Sequence, residues 1–195
     1  MKCLLISLIV FAIDVNSVTR KSLLLPQLPV GNYRINFLAM MRCTPAPSNN
    51  YNQFNLYLSK KTANTSEIMG NITHLQPFDD SLDLEFDLAV KDSIGGWKEN
   101  AFFYKVNKAC SGLKMLFGDA WNPLMSGIGM NNITCPVPEG YYKLPGLDTA
   151  IFKSTNFPKT FFYGTYRFRA RFTKNKIVYG CFIAVVEVKR PWETD

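Results

Sequence analysis

Strict two-residue alternation constrains this chain more than any other feature. In residues 165–172, "TYRFRARF", Tyr166, Phe168, Ala170 and Phe172 fall on one side, and Thr165, Arg167, Arg169 and Arg171 on the other. Successive side chains of a β-strand point to opposite faces, so the segment is a strand with one apolar and one cationic face. Residues 81–90, "SLDLEFDLAV", repeat the pattern, with Leu82, Leu84, Phe86, Leu88 and Val90 set against Asp83, Glu85 and Asp87. A sheet built from such strands must cover its apolar face with a second sheet or with a guest molecule. The two charged faces carry opposite signs and invite cross-strand pairing; two independent solvated faces are equally compatible with the pattern.

Further strand-like segments recur at 32–43, 53–61, 101–110, 140–144, 148–154 and 175–190, separated by turn residues. They predict an all-β fold, an antiparallel sandwich of seven to eight short strands. "TKNK" (173–176) reads as a tight hairpin turn that makes the last two strands neighbours. The exception is 111–130, "SGLKMLFGDAWNPLMSGIGM", where Leu113, Leu116, Phe117, Ala120, Trp121 and Leu124 recur at helical spacing. Pro123 and the glycines after it are the expected kink and stop. The apolar stripe of this short helix suits a core. Trp121 with Met115, Met125 and Met130 also suits an adaptable pocket lining, because the methionine thioether fits ligands of varied shape.

The first residues join Lys2, an apolar run (3–12) and small residues at Val15 and Ser17. This is the pattern of a secretory signal cut after Ser17, and the apolar run is shorter than the roughly 20 residues a membrane span requires. Residues 18–195 are then expected to form a single domain. Cys43, Cys110, Cys135 and Cys181 remain after the signal, an even number that suggests two disulfides with three connectivities open. Asn64, Asn71 and Asn132 each open an N-glycosylation acceptor triplet, and the triplets are expected at the surface.

Most catalytic chemistry lacks its parts here. The sole histidine, His74, lies beside the 71–73 triplet and is expected at the surface, and no G-x-S-x-G elbow occurs. No clustered Cys/His spacing predicts a metal site, and no glycine-rich loop predicts a phosphate or nucleotide cofactor. The net charge of +7 is not gathered into a Lys/Arg run, so nucleic acid is not expected as a partner. The acids at 83–87 are the loosest of glycosidase candidates. No catalytic residue, metal or cofactor is assigned.

Residues 135–146 read "CPVPEGYYKLPG", followed by "FPKTFFYGTYRFRARF" (157–172) and "YGCFIAVVEVK" (179–189). This order, C-P-x-x-E-G-x-Y-x-L-P, then Pro, then G-x-Y-R opening a strand, then G-C opening the last strand, resembles the ganglioside activator family. That family belongs to the myeloid-differentiation-factor-related (ML-type) lipid-recognition domains. "KACSGLKML" (108–116) extends the likeness weakly, and "GGWKENAFFYKVNKAC" with the middle of the chain looks more like the arthropod secreted branch, including the chemosensory CheB-type proteins. The chain has fewer cysteines than the vertebrate activator and its own middle section.

The resemblance implies a cup of two splayed sheets with an apolar cavity for acyl chains, and disulfides Cys43–Cys181 and Cys110–Cys135. The residues expected at the ligand are Phe117, Trp121, Leu124 and Met125 of the helix, Phe157, Phe161 and Phe162 of the loop "NFPKTFFYG" (156–164), and Tyr166, Phe168 and Phe172 of the alternating strand. The loop carries more aromatics than a solvated connection needs. It is expected to plug the end of the core, or to form a rim that caps a bound lipid or dips into a membrane, with Lys153, Lys159 and the arginine face of 165–172 meeting anionic headgroups. The expected function is that of a secreted, non-catalytic lipid carrier, extracellular or lysosomal, with a hydrophobic ligand and an extracellular receptor or hydrolase as candidate partners. The alternative is an extracellular interaction or chemosensory accessory protein with a solid core that works through its surface.

Overall fold

The computed structural model describes residues 29–62, 65–130 and 134–193. The signal reading at 1–17, Asn64 and Asn132 lie outside them. Ten strands and a broken helix follow one another: β1 (Val30–Gly31), β2 (Arg34–Arg42), β3 (Asn52–Lys60), β4 (Ser66–His74), β5 (Asp83–Lys91), β6 (Trp97–Val106), α1 (Ala109–Phe117), α2 (Trp121–Gly127), β7 (Gly140–Asp148), β8 (Phe161–Phe162), β9 (Gly164–Lys174) and β10 (Ile177–Lys189). The fold is an all-β sandwich, and its two shortest strands, β1 and β8, pair only with each other.

The main ladder runs β6-β5-β9-β10-β3-β4-β7, with β2 on β10. β10 changes partner along its length. Residues 182–189 pair antiparallel with β2, while Gly180 makes a single parallel bridge to Asn52 of β3. That bridge divides the ladder into a five-stranded leaf, β6-β5-β9-β10-β2, and a three-stranded leaf, β3-β4-β7. A Cβ on Gly180 would sit 2.6 Å from the Asn52 carbonyl oxygen and 2.7 Å from its Cβ, so the leaves meet this closely only because no side chain intervenes. Cys181, the next residue, is disulfide-bonded to Cys43 at the end of β2.

Charge sets the register of the larger leaf. Glu85 stands opposite Arg171 and Asp87 opposite Arg169. Arg169 Nη1 lies 3.4 Å from Asp87 Oδ2, and Arg171 Nη2 lies 3.7 Å from Glu85 Oε2. Lys105 of β6 holds Asp83 at 2.8 Å, and the Arg167 guanidinium, paired with Glu99, lies over the Trp97 ring. The acidic and basic faces therefore pair. Each such pair contributes only about 0.2–1 kcal/mol, but a one-residue slip would turn every charge inward. The β9–β10 hairpin closes at Asn175 and Lys176, both with positive φ, as the two-residue turn read at 173–176 requires.

Three expectations change. The helix breaks at Gly118 (φ 52) into α1, a 3₁₀ turn and α2, rather than at Pro123. Pro123 falls in the first turn of α2, where its missing N–H is not needed. Asn156 explains the break: its side-chain amide donates to Met115 O at 2.8 Å, and its Nδ2 lies 2.6 Å from where a Gly118 Cβ would stand. Residues 149–154 form a 3₁₀ turn, not a strand, because the Asp148 carboxylate accepts from Ala150 N–H at 2.8 Å and offers the chain a local alternative to a ladder. Strand β4 was hidden in sequence by Gly70 (φ 128), which interrupts its alternation where a Cβ would strike the Asn55 carbonyl.

Gly180→Ala should force the leaves apart at the one backbone bridge between them among the described residues. The expected loss is about 1–3 kcal/mol, read as a melting point several degrees lower with both disulfides intact.

Candidate functional site: an apolar cavity between the leaves

Between the leaves lies a cavity of about 680 Å³, within the roughly 300–1,000 Å³ of small-molecule sites. The inward residues of both leaves line it: Leu84, Phe86 and Leu88 of β5, Phe168, Ala170 and Phe172 of β9, Ile68 and Ile72 of β4, and Leu144 of β7. None of the described residues lining it carries a formal charge at neutral pH. The sandwich interior is hollow rather than solid.

The helices roof the cavity. Leu113, Leu116 and Phe117 of α1 and Trp121, Leu124 and Met125 of α2 face into it. Their placement is fixed from outside. Ser111 donates its backbone N–H and its hydroxyl to the Asp80 carboxylate at 2.8 and 2.6 Å, which holds that carboxyl below its usual pKa. The Cys110–Cys135 disulfide closes the helical segment, and Asn156 N–H donates to Leu116 O at 2.8 Å. Loops of 25 and 138 residues closed by the two disulfides contribute about 3.5 and about 5 kcal/mol in chain-entropy terms.

Of the ten residues expected at the ligand, eight line the cavity: Phe117, Trp121, Leu124, Met125, Phe157, Phe161, Phe168 and Phe172. Tyr166 is buried beside it in a second cluster with Leu88, Val186 and Val188, its hydroxyl donating to Phe162 O at 3.1 Å. Phe162 is exposed and stacks on Phe102 at 5.8 Å. Met115 is also exposed, and Met130 is buried away from the cavity wall. The loop 156–164 thus serves both readings: Phe157 and Phe161 plug inward while Phe162 faces out. Asn71 lies on the outward side of β4, where its Oδ1 accepts from Asn55 Nδ2 at 2.9 Å.

The mouth lies between β6 and the loop. Phe102, Tyr104, Asn156 and Pro158 line the cavity and are also exposed. β9 runs from this mouth inward. Phe161 and Phe102 pack on Tyr166 at its outer end, and Phe54 and Phe78 pack on Phe172 at its inner end. Six residues of strand separate the two, about 20 Å at 3.3 Å per residue. The cavity is therefore elongated.

At the inner end sits His74, the residue that sequence reading placed at the surface. It is 7% exposed and lines the cavity, because even-numbered residues of β4 face inward. Its ring stacks on Phe78 (5.5 Å) and meets Phe54 and Tyr142 at 6.4 and 5.7 Å. Its Nδ1 lies 2.7 Å from Asn52 Oδ1. The strand missed in sequence hid this residue; Ile68-x-x-x-Ile72-x-His74 was the available signal.

Among the described residues, no three His, Cys, Asp or Glu side chains are grouped to hold a metal, and no helix is long and apolar enough to cross a membrane.

Burial pushes the His74 pKa from 6.5 down to about 4, so the unfolded chain takes up a proton that the folded chain resists. Stability is then full above pH 6.5 and declines as pH falls toward 4, by about 3 kcal/mol for this group. Chemical denaturation across that range should show the decline, and His74→Phe should remove a loss of about that size. No family model matches the chain, and no curated protein matches it.

Proposed function

We propose that this chain is a secreted, non-catalytic lipid-binding protein that carries an elongated hydrophobic ligand between its leaves. The observation that carries the reading is the uncharged cavity, roofed by α1 and α2 and open beside β6. The ML-type lipid-recognition resemblance seen in residues 135–189 supports the same reading, and the pairing of all four cysteines among the described residues suits an oxidising compartment. The solid-core alternative has no use for such a volume.

Burial alone supplies useful affinity. Each methylene removed from water contributes about 0.8 kcal/mol, against an association cost of about 4–15 kcal/mol. Short chains should therefore bind poorly, and affinity should climb about fourfold per methylene until the cavity is full. Organic extraction of protein purified without denaturant, followed by mass spectrometry, should release a stoichiometric lipid. On the emptied protein, a fatty-acid series followed by displacement of a fluorescent probe should show that slope and then a plateau. A flat series together with a clean extract would return the protein to the surface-acting alternative.

The rim suits transient contact with an anionic membrane. Phe103 and Phe162 are 59% and 45% exposed beside the mouth, and Lys153 of the 3₁₀ turn and Lys159 of the loop are exposed. Phe103→Ser with Phe162→Ser should weaken sedimentation with phosphatidylserine vesicles several-fold and leave the melting point nearly unchanged. Phe161 is unsuitable for that test, since it packs on Tyr33, Phe102 and Tyr166.

A further inference from the structure

An apolar cavity with an uncharged wall places no demand on the polar end of its ligand, yet this one has a polar group at its inner end. His74 Nδ1 faces the carbonyl oxygen of the Asn52 side chain at 2.7 Å. That oxygen can only accept, so Nδ1 carries the proton, and in the neutral ring Nε2 is left as an acceptor. Neutrality is the rule here, since burial pushes the ring's pKa to about 4.

Nε2 has no hydrogen-bond partner among the described residues. It is also not sealed off: the sealed and unpaired side-chain atoms among the described residues are Asp87 Oδ1 and Arg171 Nε, both on the charged outer face. The void that His74 borders is the cavity. The ring cannot turn away, because Asn52 holds one edge while Phe78, Phe54 and Tyr142 pack around it. A fixed, desolvated acceptor is costly when left unmet, by more than a typical hydrogen bond returns.

We propose that His74 Nε2 is a specificity site that accepts a hydrogen bond from a hydroxyl at the deep end of the ligand, so that the cavity selects long-chain or polycyclic alcohols over hydrocarbons, ethers and esters of the same size. This rests on the lipid-carrier reading and adds the chemical class of the cargo. A carboxylate would present lone pairs to a lone pair and is disfavoured at that end. Tyr142 does not compete for Nε2, because its hydroxyl donates to Pro138 O at 2.8 Å.

The test compares 1-dodecanol with its isomer undecyl methyl ether on delipidated protein at neutral pH. The alcohol should bind about two- to tenfold tighter, and His74→Phe should level the two. Because His74 is the sole histidine, ¹⁵N-histidine labelling of the native protein gives one ring to watch, whether or not the variant folds. The free protein should show a protonated Nδ1 and a bare Nε2, and the Nε2 signal should move on adding the alcohol and not the ether. Equal binding of both ligands with Nε2 unmoved, or a free ring protonated at Nε2, overturns the hydroxyl site and leaves the carrier reading standing. Binding of neither ligand overturns both.

Discussion

Two sheets that do not close on each other forgo the burial that ordinarily holds a sandwich together, and the rest of this structure follows from that. At about 24 cal/mol per Å³, a dry void of this size would cost on the order of 15 kcal/mol, comparable to the whole net stability of a domain. The compensation lies at the edges. One disulfide ties Cys43, just after β2, to Cys181 of β10, the other pins the helical roof, and among the described residues a single backbone bridge, Gly180 to Asn52, links the two leaves. On the carrier reading proposed above, a hydrophobic guest would supply what the missing core would have supplied, and folding and binding would draw on the same apolar surface.

The charged outer face has a different task. Arginines on β9 alternate against acids on β5, and the pairs are individually weak, with Asp87 Oδ1 and Arg171 Nε sealed and unpartnered. Their value is in register. A hollow sandwich has little interlocking packing to stop one strand sliding on the next, and a slip of one residue would drive Arg167, Arg169 and Arg171 into the cavity.

The sequence carried much of this fold in plain view where alternation was unbroken. β5 and β9 were readable residue by residue, as was the turn between β9 and β10. So were the cavity residues of the helix and of β9, because apolar periodicity marks the inward face whether that face meets a core or a void, while Phe157 and Phe161 stood out only as surplus aromatics in a loop. β4 was lost where Gly70 broke the rhythm, and with it His74, whose sequence neighbourhood of polar triplet residues resembles a loop. The break at Gly118 and the 3₁₀ turn after Asp148 depended on side chains, Asn156 and Asp148, that act through hydrogen bonds no periodicity records. Hollowness itself was not legible from alternation, since packed and open sandwiches share one pattern.

Asn52 belongs to two parts of the molecule at once. Its backbone makes the bridge to Gly180 where the leaves join, and its side chain holds His74 at the inner end of the cavity. The joint and the floor are thus one piece, like the heel of a pair of tongs. On the carrier reading, whatever occupied the floor would bear on the pivot, and the gape of the tongs would be a property of protein and cargo together.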